Sequence, residues 1–166
     1  MTLAGLNLAA AAMWLLLGAS DLAPLYDRAM AAYEAARWHE ALPLLRDLSA
    51  RGHAGAATRL GIMHYRGEGV PADPSKAALW FFKAARRGQA DAQLAFGALN
   101  WHGTGVAKDP EQALHWLILA QRSGDAAVRA EAERLAAAVR ADLDAAAIGR
   151  VLQQVERFQP VPRADP

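Results

Sequence analysis

The stretches GIMHYRGEGV, residues 61–70, and GALNWHGTGV, residues 97–106, decide the fold of this chain. They align without a gap at an offset of 36 residues. The same offset relates further pairs: Asp73-Pro74 and Asp109-Pro110, Ala77 and Ala113, Trp80 and Trp116, and Gly88 and Gly124. Chance does not align so many glycines and tryptophans, so the chain contains an internal repeat.

Each copy predicts a helix that leads into a glycine loop. The first helices are predicted over residues 56–66 and 92–102 and contain Gly61 and Gly97, two of the repeated glycines. The loops that follow contain two glycines each, which suit backbone positions of positive φ that other residues resist. These loop glycines are Gly67, Gly69, Gly103 and Gly105.

A second helix is predicted after each loop. Asp73 and Asp109 are its expected N-caps, because each is followed by a proline at the first helical position, where a missing N–H costs nothing. Helical spacing puts Ala77 and Trp80 on one face, as it does Ala113 and Trp116 in the other copy. Gly88 and Gly124 are expected to end these helices, and the tryptophans to fill the space between units.

Composition agrees with an all-α protein. Alanine, the best helix former, is abundant, and no run of alternating Val, Ile or Thr indicates a strand. The lack of cysteine excludes disulfides, thiolate zinc sites and a cysteine nucleophile. A net charge of +1 with both signs evenly mixed argues against a nucleic-acid binder.

The two copies resemble Sel1-like repeats, which are longer-looped relatives of the tetratricopeptide repeat. The first copy carries the resemblance in Leu60-Gly61, Gly67-x-Gly69-Val70, Asp73, Lys76-Ala77, Trp80, Ala84-Ala85 and Gly88. The resemblance implies a short right-handed α-solenoid of antiparallel helix pairs, with partners bound in a concave groove lined by the first helices. The family's usual tyrosine is replaced by His64 and Asn100, and an aromatic residue follows one position later in each copy.

The chain divides into six predicted segments. Residues 21–52 are a tetratricopeptide-like helical pair, residues 53–88 and 89–124 are the two Sel1-like repeats, residues 125–158 are capping helices, and residues 159–166 are a flexible tail. Residues 1–20 contain no charge and an apolar core, which predicts a signal peptide or an N-terminal membrane anchor. The alternative is an apolar first helix that caps the array. Export would place the protein in the periplasm, outside the cell or at the inner membrane, and the alternative would leave it in the cytoplasm.

The candidate partner-binding residues centre on one aromatic position in each unit. Tyr33, Tyr65 and Trp101 occupy this position once the shorter loop of the first unit is allowed for. Three such side chains facing the groove suit the gripping of an extended or helical peptide. The neighbouring candidates are Ile62, Arg66 and His102. The alternative interpretation is that the aromatic side chains pack between units.

No pattern in the sequence predicts catalysis or a cofactor. The histidines include no helical pair with metal-ligand spacing, so no metal site is predicted. A non-enzymatic adaptor that binds a protein or peptide in its concave groove is therefore the predicted function. Two alternatives stay open: a secreted hydrolase-like repeat protein, and a purely structural or oligomerisation module.

Overall fold

A computed structural model describes residues 22–162 of the chain. Within this range the chain forms eight α-helices and no β-strand, which confirms the predicted all-α class. The helices are α1 (Leu22–Glu34), α2 (Trp38–Ala50), α3 (Ala54–Arg66), α4 (Pro74–Ala85), α5 (Ala90–His102), α6 (Pro110–Ala120), α7 (Ala126–Ala141) and α8 (Ala145–Arg157).

The helices stack as an α-solenoid, as the repeat predicts. Each helix from α1 to α6 packs against the next one in sequence, and in addition α7 packs against α5 and α8 packs against α6. Buried side chains form two clusters, one around Leu45 and Leu60 and one around Leu114 and Leu117. Trp80 packs against both clusters and so joins the first unit to the rest of the array.

The loop-to-helix junction is built in the same way in both repeats. Asp73 accepts a hydrogen bond from the Lys76 N–H at 3.0 Å, and Asp109 accepts one from the Gln112 N–H at 2.9 Å. Each aspartate satisfies one of the N–H groups that the first turn of a helix leaves without an intrahelical partner. All four loop glycines adopt positive φ: Gly67, Gly69, Gly103 and Gly105.

The glycines inside α3 and α5 are positions where the two helices of a repeat touch. A Cβ placed on Gly61 would lie 2.7 Å from the Phe81 ring, and one on Gly97 would lie 2.8 Å from Leu117. Both distances are shorter than a carbon–carbon contact allows. The missing side chain therefore lets a large apolar residue of the second helix lie directly on the first.

The second loop glycine of each repeat contacts the preceding unit. A Cβ on Gly69 would lie 2.2 Å from the Trp38 Cβ at the start of α2, and one on Gly105 would lie 2.2 Å from the Pro74 carbonyl oxygen at the start of α4. Trp38 and Pro74 are themselves 36 residues apart. Each loop thus rests on the start of the second helix one unit earlier.

Gly88 and Gly124, which were predicted to end the second helices, lie beyond the helix ends. The α4 helix ends at Ala85 and α6 at Ala120, so Gly88 and Gly124 lie in the turns that follow. Gly88 has a φ of 76°, which favours glycine. Gly124 is not among the glycines of positive φ, and a Cβ there would meet no atom within 4 Å. Its structural role is corrected accordingly: nothing around this position requires glycine.

Two further helices close the array. Asp125 caps α7 and Asp144 caps α8 through hydrogen bonds to backbone N–H groups of their first turns. Both helices pack against α6, and Val139 and Val151 are fully buried between them and the repeats. This cover buries the apolar side of the last repeat, as a terminal unit of a solenoid does.

Part of the predicted flexible tail is held in place. The Phe158 ring lies 5.6 Å from the Trp116 ring and 6.0 Å from that of His115, between ring centroids. Three residues later, the Val161 N–H donates to the Arg86 carbonyl oxygen at 2.8 Å. Residues 159–162 thus follow a packed aromatic side chain and include the hydrogen bond to Arg86.

The predicted signal peptide or anchor, residues 1–20, lies outside the described residues, as do residues 163–166. Between residues 22 and 162 none of the helices combines the length and the apolar character that crossing a bilayer requires.

Candidate interaction surfaces

Tyr65 and Arg66 are exposed members of the predicted binding surface. They are the last two residues of α3, where the left-handed Gly67 ends the helix. Tyr65 is 48% exposed, which is high for an aromatic side chain, and Arg66 is also exposed. Arg66 lies 3.5 Å from Glu68, an exposed ion pair of small energetic value. Both side chains are thus free to contact a partner.

Trp101 and His102 occupy the equivalent places one repeat later. Their rings stack with centroids 5.3 Å apart and an interplanar angle of 22°. His102 is exposed, whereas Trp101 is half-buried against the core. Ile62, one turn before Tyr65, is likewise half-buried against the same core. These side chains combine a packed part with a part that faces water.

The contacts of Tyr33 are those expected of an aromatic side chain that packs between units. Its hydroxyl donates to Glu68 Oε2 at 2.8 Å, although the two residues are 35 positions apart. The Arg59 guanidinium lies 5.6 Å from its ring centroid, and the Trp38 ring meets it edge-on at 5.1 Å. Glu68 and Arg59 belong to the next unit, so Tyr33 joins two units. The three aromatic positions are therefore equivalent in sequence and different in environment.

These contacts change the acidity of Tyr33. Burial, the hydrogen bond to Glu68 and the negative charge of Glu68 together raise its pKa to about 12, from an ordinary value of 10.0. A tyrosine with a raised pKa in the folded state stabilises that state below the unfolded pKa. This contribution is lost as the pH rises from 10 towards 12.

We expect an alkaline titration followed at 295 nm to show one tyrosine component near pH 12 that is absent from Tyr33→Phe. The free energy of unfolding of the wild type should also fall more steeply than that of Tyr33→Phe between pH 10 and 12, because only the wild type loses the protonated hydroxyl. Urea unfolding at fixed pH values measures this difference. Identical slopes would show that the hydroxyl does not contribute to stability.

A second exposed apolar surface lies on α4, and sequence analysis did not identify it. Leu79 is 69% exposed and Phe82 is 37% exposed. They belong to the run AALWFF, in which every residue after the alanines is large and apolar, so the helical pattern does not show which ones are covered. The signal available is that Leu79 lies two residues from the buried Ala77, on another face of the helix.

Two open clefts flank Leu79. One has a volume of about 310 Å³ and an apolar lining that includes Phe82, Phe96 and Val106. The other has a volume of about 510 Å³ and lies between α2 and α4. Three cationic side chains line the second cleft together with an imidazole and two apolar residues: Arg46, Lys76, Lys83, His64, Leu79 and Trp80.

His64 belongs to α3 and lies at the bottom of the cationic cleft. It is 7% exposed, and its Nδ1 atom is enclosed and has no hydrogen-bond partner. Burial lowers its pKa, as does the positive charge of Lys76, against a smaller opposing effect of Asp73. The imidazole is therefore neutral at pH 7 and retains unused hydrogen-bonding capacity.

Trp80 and Trp116, which are 36 residues apart, both pack against other side chains. Trp116 is 4% exposed and its ring contacts those of Phe82, Phe96, His115 and Phe158. Trp80 is half-buried and lies under the Lys83 ammonium, 5.0 Å from its ring centroid. Between residues 22 and 162 no group of three or more His, Asp or Glu side chains has an arrangement that could hold a metal ion.

Comparisons with known proteins identify the repeat. The Sel1 repeat family model matches residues 54–89 and 90–125. Among solved structures, a protective antigen present in uropathogenic Escherichia coli strains, which displays an SLR fold, has a TM-score of 0.74 and 23% sequence identity over 83% of this chain and 30% of that one. A Sel1 repeat protein from Oxalobacter formigenes has a TM-score of 0.59 and 27% identity over 64% of this chain and 44% of that one.

This chain therefore spans less than half the length of either solved relative. At 23% sequence identity, the similarity to the protective antigen shows the fold alone. No curated protein matches the sequence. What the comparisons identify is a pair of Sel1-like repeats in a helical solenoid.

Proposed function

Because the chain carries two Sel1 repeats, we propose that it is a non-enzymatic adaptor that binds a peptide or protein along the surface formed by its first helices. Sel1 repeats typically serve as scaffolds for protein interaction. The observation that supports the proposal most directly is the exposure of Tyr65, 48%, next to the exposed Arg66. A large aromatic side chain that the fold leaves open to water is a typical anchor of a protein interface.

The chemistry of this surface suits a peptide that is partly apolar and partly polar. The Tyr65 ring offers apolar area together with a hydroxyl, and Arg66 offers a fork of N–H donors. One repeat further, Trp101 and His102 present a similar pair at the same register. Regular spacing of this kind lets successive repeats contact successive parts of an extended partner.

The proposal predicts that Tyr65→Ala combined with Arg66→Ala abolishes partner capture without unfolding the protein. Neither side chain is part of a buried cluster, so we expect the free energy of unfolding to change by less than about 1 kcal/mol. The measurement is affinity capture from an extract of the cell envelope, since residues 1–20 predict export, with quantitative mass spectrometry of the retained proteins.

Leu152→Ala is the matched control. Leu152 lies on α8, is 44% exposed and is remote from α3 in sequence. Proteins retained by the wild type and by Leu152→Ala, and lost from the double variant, are partners of this surface. Equal retention by all three proteins would contradict the proposal. A dimer in light scattering that Tyr65→Ala dissociates would favour the oligomerisation alternative instead.

A further inference from the structure

The cleft between α2 and α4 has an equivalent place between α4 and α6, where each position is 36 residues later. These places are called the first and the second cleft. Leu79 and Trp80 in the first cleft correspond to His115 and Trp116 in the second. The two clefts are formed by equivalent backbone positions. They differ in their side chains and in the segment that covers them.

The second cleft is covered by the segment after α8, residues 158–162, called the tail below. Phe158 packs on the rings of His115 and Trp116, and the Val161 N–H donates to the Arg86 carbonyl oxygen at the end of α4. His115 and Trp116 are consequently 8% and 4% exposed. The solenoid therefore shows how an extended segment is held on this face, with an aromatic anchor followed by a backbone hydrogen bond.

The first cleft has no such cover from the described part of the chain. Leu79, the counterpart of His115, is 69% exposed, and Trp80, the counterpart of Trp116, is only half-buried. The cleft of about 510 Å³ is large enough for several side chains of a bound segment. The carbonyl group of Ala50, 36 residues before Arg86, lies at the corresponding end of α2.

The side chains that distinguish the open cleft are cationic. Arg46 corresponds to Phe82, Lys76 to Gln112 and Lys83 to Leu119. Lys76 is paired with Asp73 at 3.0 Å, whereas Arg46 and Lys83 have no carboxylate partner among residues 22–162. An excess of positive charge within one cleft attracts carboxylates and opposes cations. A bound segment complementary to this cleft is therefore acidic.

His64 gives this cleft a polar group that its counterpart does not offer. Asn100, the equivalent residue, donates its side-chain N–H to the Phe96 carbonyl oxygen at 2.8 Å, so this donor already has a partner within α5. His64 makes no comparable bond, and its Nδ1 is enclosed without a partner. In the neutral tautomer whose proton is on Nε2, the ring can donate a hydrogen bond to an acceptor in the cleft.

We propose that the cleft between α2 and α4 is a second binding site, which takes an extended acidic segment of a partner protein with an apolar anchor residue. The anchor packs on Leu79 and Trp80 as Phe158 packs on His115 and Trp116. The carboxylates of the segment face Arg46, Lys83 and the His64 ring. This site is separate from the Tyr65 surface, so either proposal can fail without the other.

The test uses a blocked synthetic peptide, Glu-Phe-Glu-Pro-Val-Pro-Glu, which repeats the Phe-x-Pro-Val-Pro pattern of residues 158–162 with glutamates added. The peptide is titrated into ¹⁵N-labelled full-length protein, and the indole N–H signals of Trp80 and Trp116 are followed by NMR. Trp80→Phe and Trp116→Phe identify these two signals. We expect a saturable shift of the Trp80 signal and little shift of the Trp116 signal, which the tail already covers.

Charge reversal and charge removal supply the matched controls. Arg46→Glu combined with Lys83→Glu should weaken peptide binding by at least about tenfold, since two attractive charges become repulsive. Arg28→Glu changes an exposed cation on α1, outside the cleft, and should leave binding within about twofold. The same peptide with glutamine in place of glutamate should also bind at least about tenfold more weakly. His64→Asn, which introduces the residue found at position 100, tests whether the imidazole contributes to peptide binding.

Each alternative occupant has its own result. An equal shift of Trp80 by inorganic phosphate alone, or by vesicles with anionic headgroups but not by the peptide, would overturn the proposal in favour of a small-anion or a membrane site. A shift of Trp116 in place of Trp80 would show that the peptide only displaces the tail. A Trp80 signal that moves with protein concentration alone would indicate a second copy of this chain. No saturable shift at millimolar peptide would also overturn the proposal.

Discussion

Gly105→Ala is expected to lower the free energy of unfolding by about 2–5 kcal/mol. Two costs add. The φ of 72° at Gly105 lies in the left-handed region, which a Cβ disfavours. The new Cβ would also lie 2.2 Å from the Pro74 carbonyl oxygen, a backbone atom that cannot rotate away. Urea unfolding followed by circular dichroism at 222 nm measures the loss.

Gly124→Ala is the control for this substitution. Gly124 occupies a turn between units, has no positive φ, and offers open space to a Cβ. We expect a change within about 1 kcal/mol, with a small gain in stability if the alanine restricts the unfolded chain. If both substitutions had equal effects, the contact between the Gly105 loop and the start of α4 would not contribute to the joining of the units.

Trp116→Ala is expected to lower the free energy of unfolding by about 3–5 kcal/mol, the range for removal of a large buried aromatic side chain. Trp116 is 4% exposed and its ring is surrounded by four others, which belong to α4, α5, α6 and the tail. Its loss therefore leaves a cavity where the last repeat, the preceding helix and residue 158 meet. Urea unfolding again measures the change.

Hydrogen exchange of the Val161 amide separates local from global effects of Trp116→Ala. This amide donates to Arg86, and its protection depends on the Phe158 ring staying on Trp116. We expect its exchange to accelerate more than that of amides within α2, which lie in the other buried cluster. Trp116→Phe should retain most of the protection, because a smaller ring still supports the anchor. Uniform acceleration throughout the chain would contradict the proposed role in holding the tail.

The architecture was predictable because the same helix–loop–helix pattern occurs twice in the sequence. The offset of 36 residues, the paired glycines and the Asp-Pro pairs each depend on local backbone geometry, which sequence patterns describe well. The predicted starts of the first helices were less accurate: α3 begins at Ala54 and α5 at Ala90, two residues before the predicted positions. His53 explains the first difference, since its ring accepts a hydrogen bond from the Ala56 N–H and acts as a cap.

The surfaces were less predictable because they depend on contacts between distant residues. Tyr33 and Tyr65 occupy equivalent positions, yet Glu68 and Arg59 cover only the first. The exposure of Leu79 depends equally on distant residues, because its counterpart His115 is buried only where the tail returns to cover it. No local pattern near residue 79 carries information about where residue 158 lies. The candidate site therefore required the structure.

The contacts of Gly69 with Trp38 and of Gly105 with Pro74 make this solenoid extensible by duplication. The repeat of residues 53–88 carries both halves of this contact: Pro74, where a helix start receives the next loop, and Gly69, a loop glycine that meets the previous helix start. A tandem copy of residues 53–88 would bring one of each and so preserve this contact on both sides. Such a protein could lengthen in steps of 36 residues while its first and last segments stay unchanged.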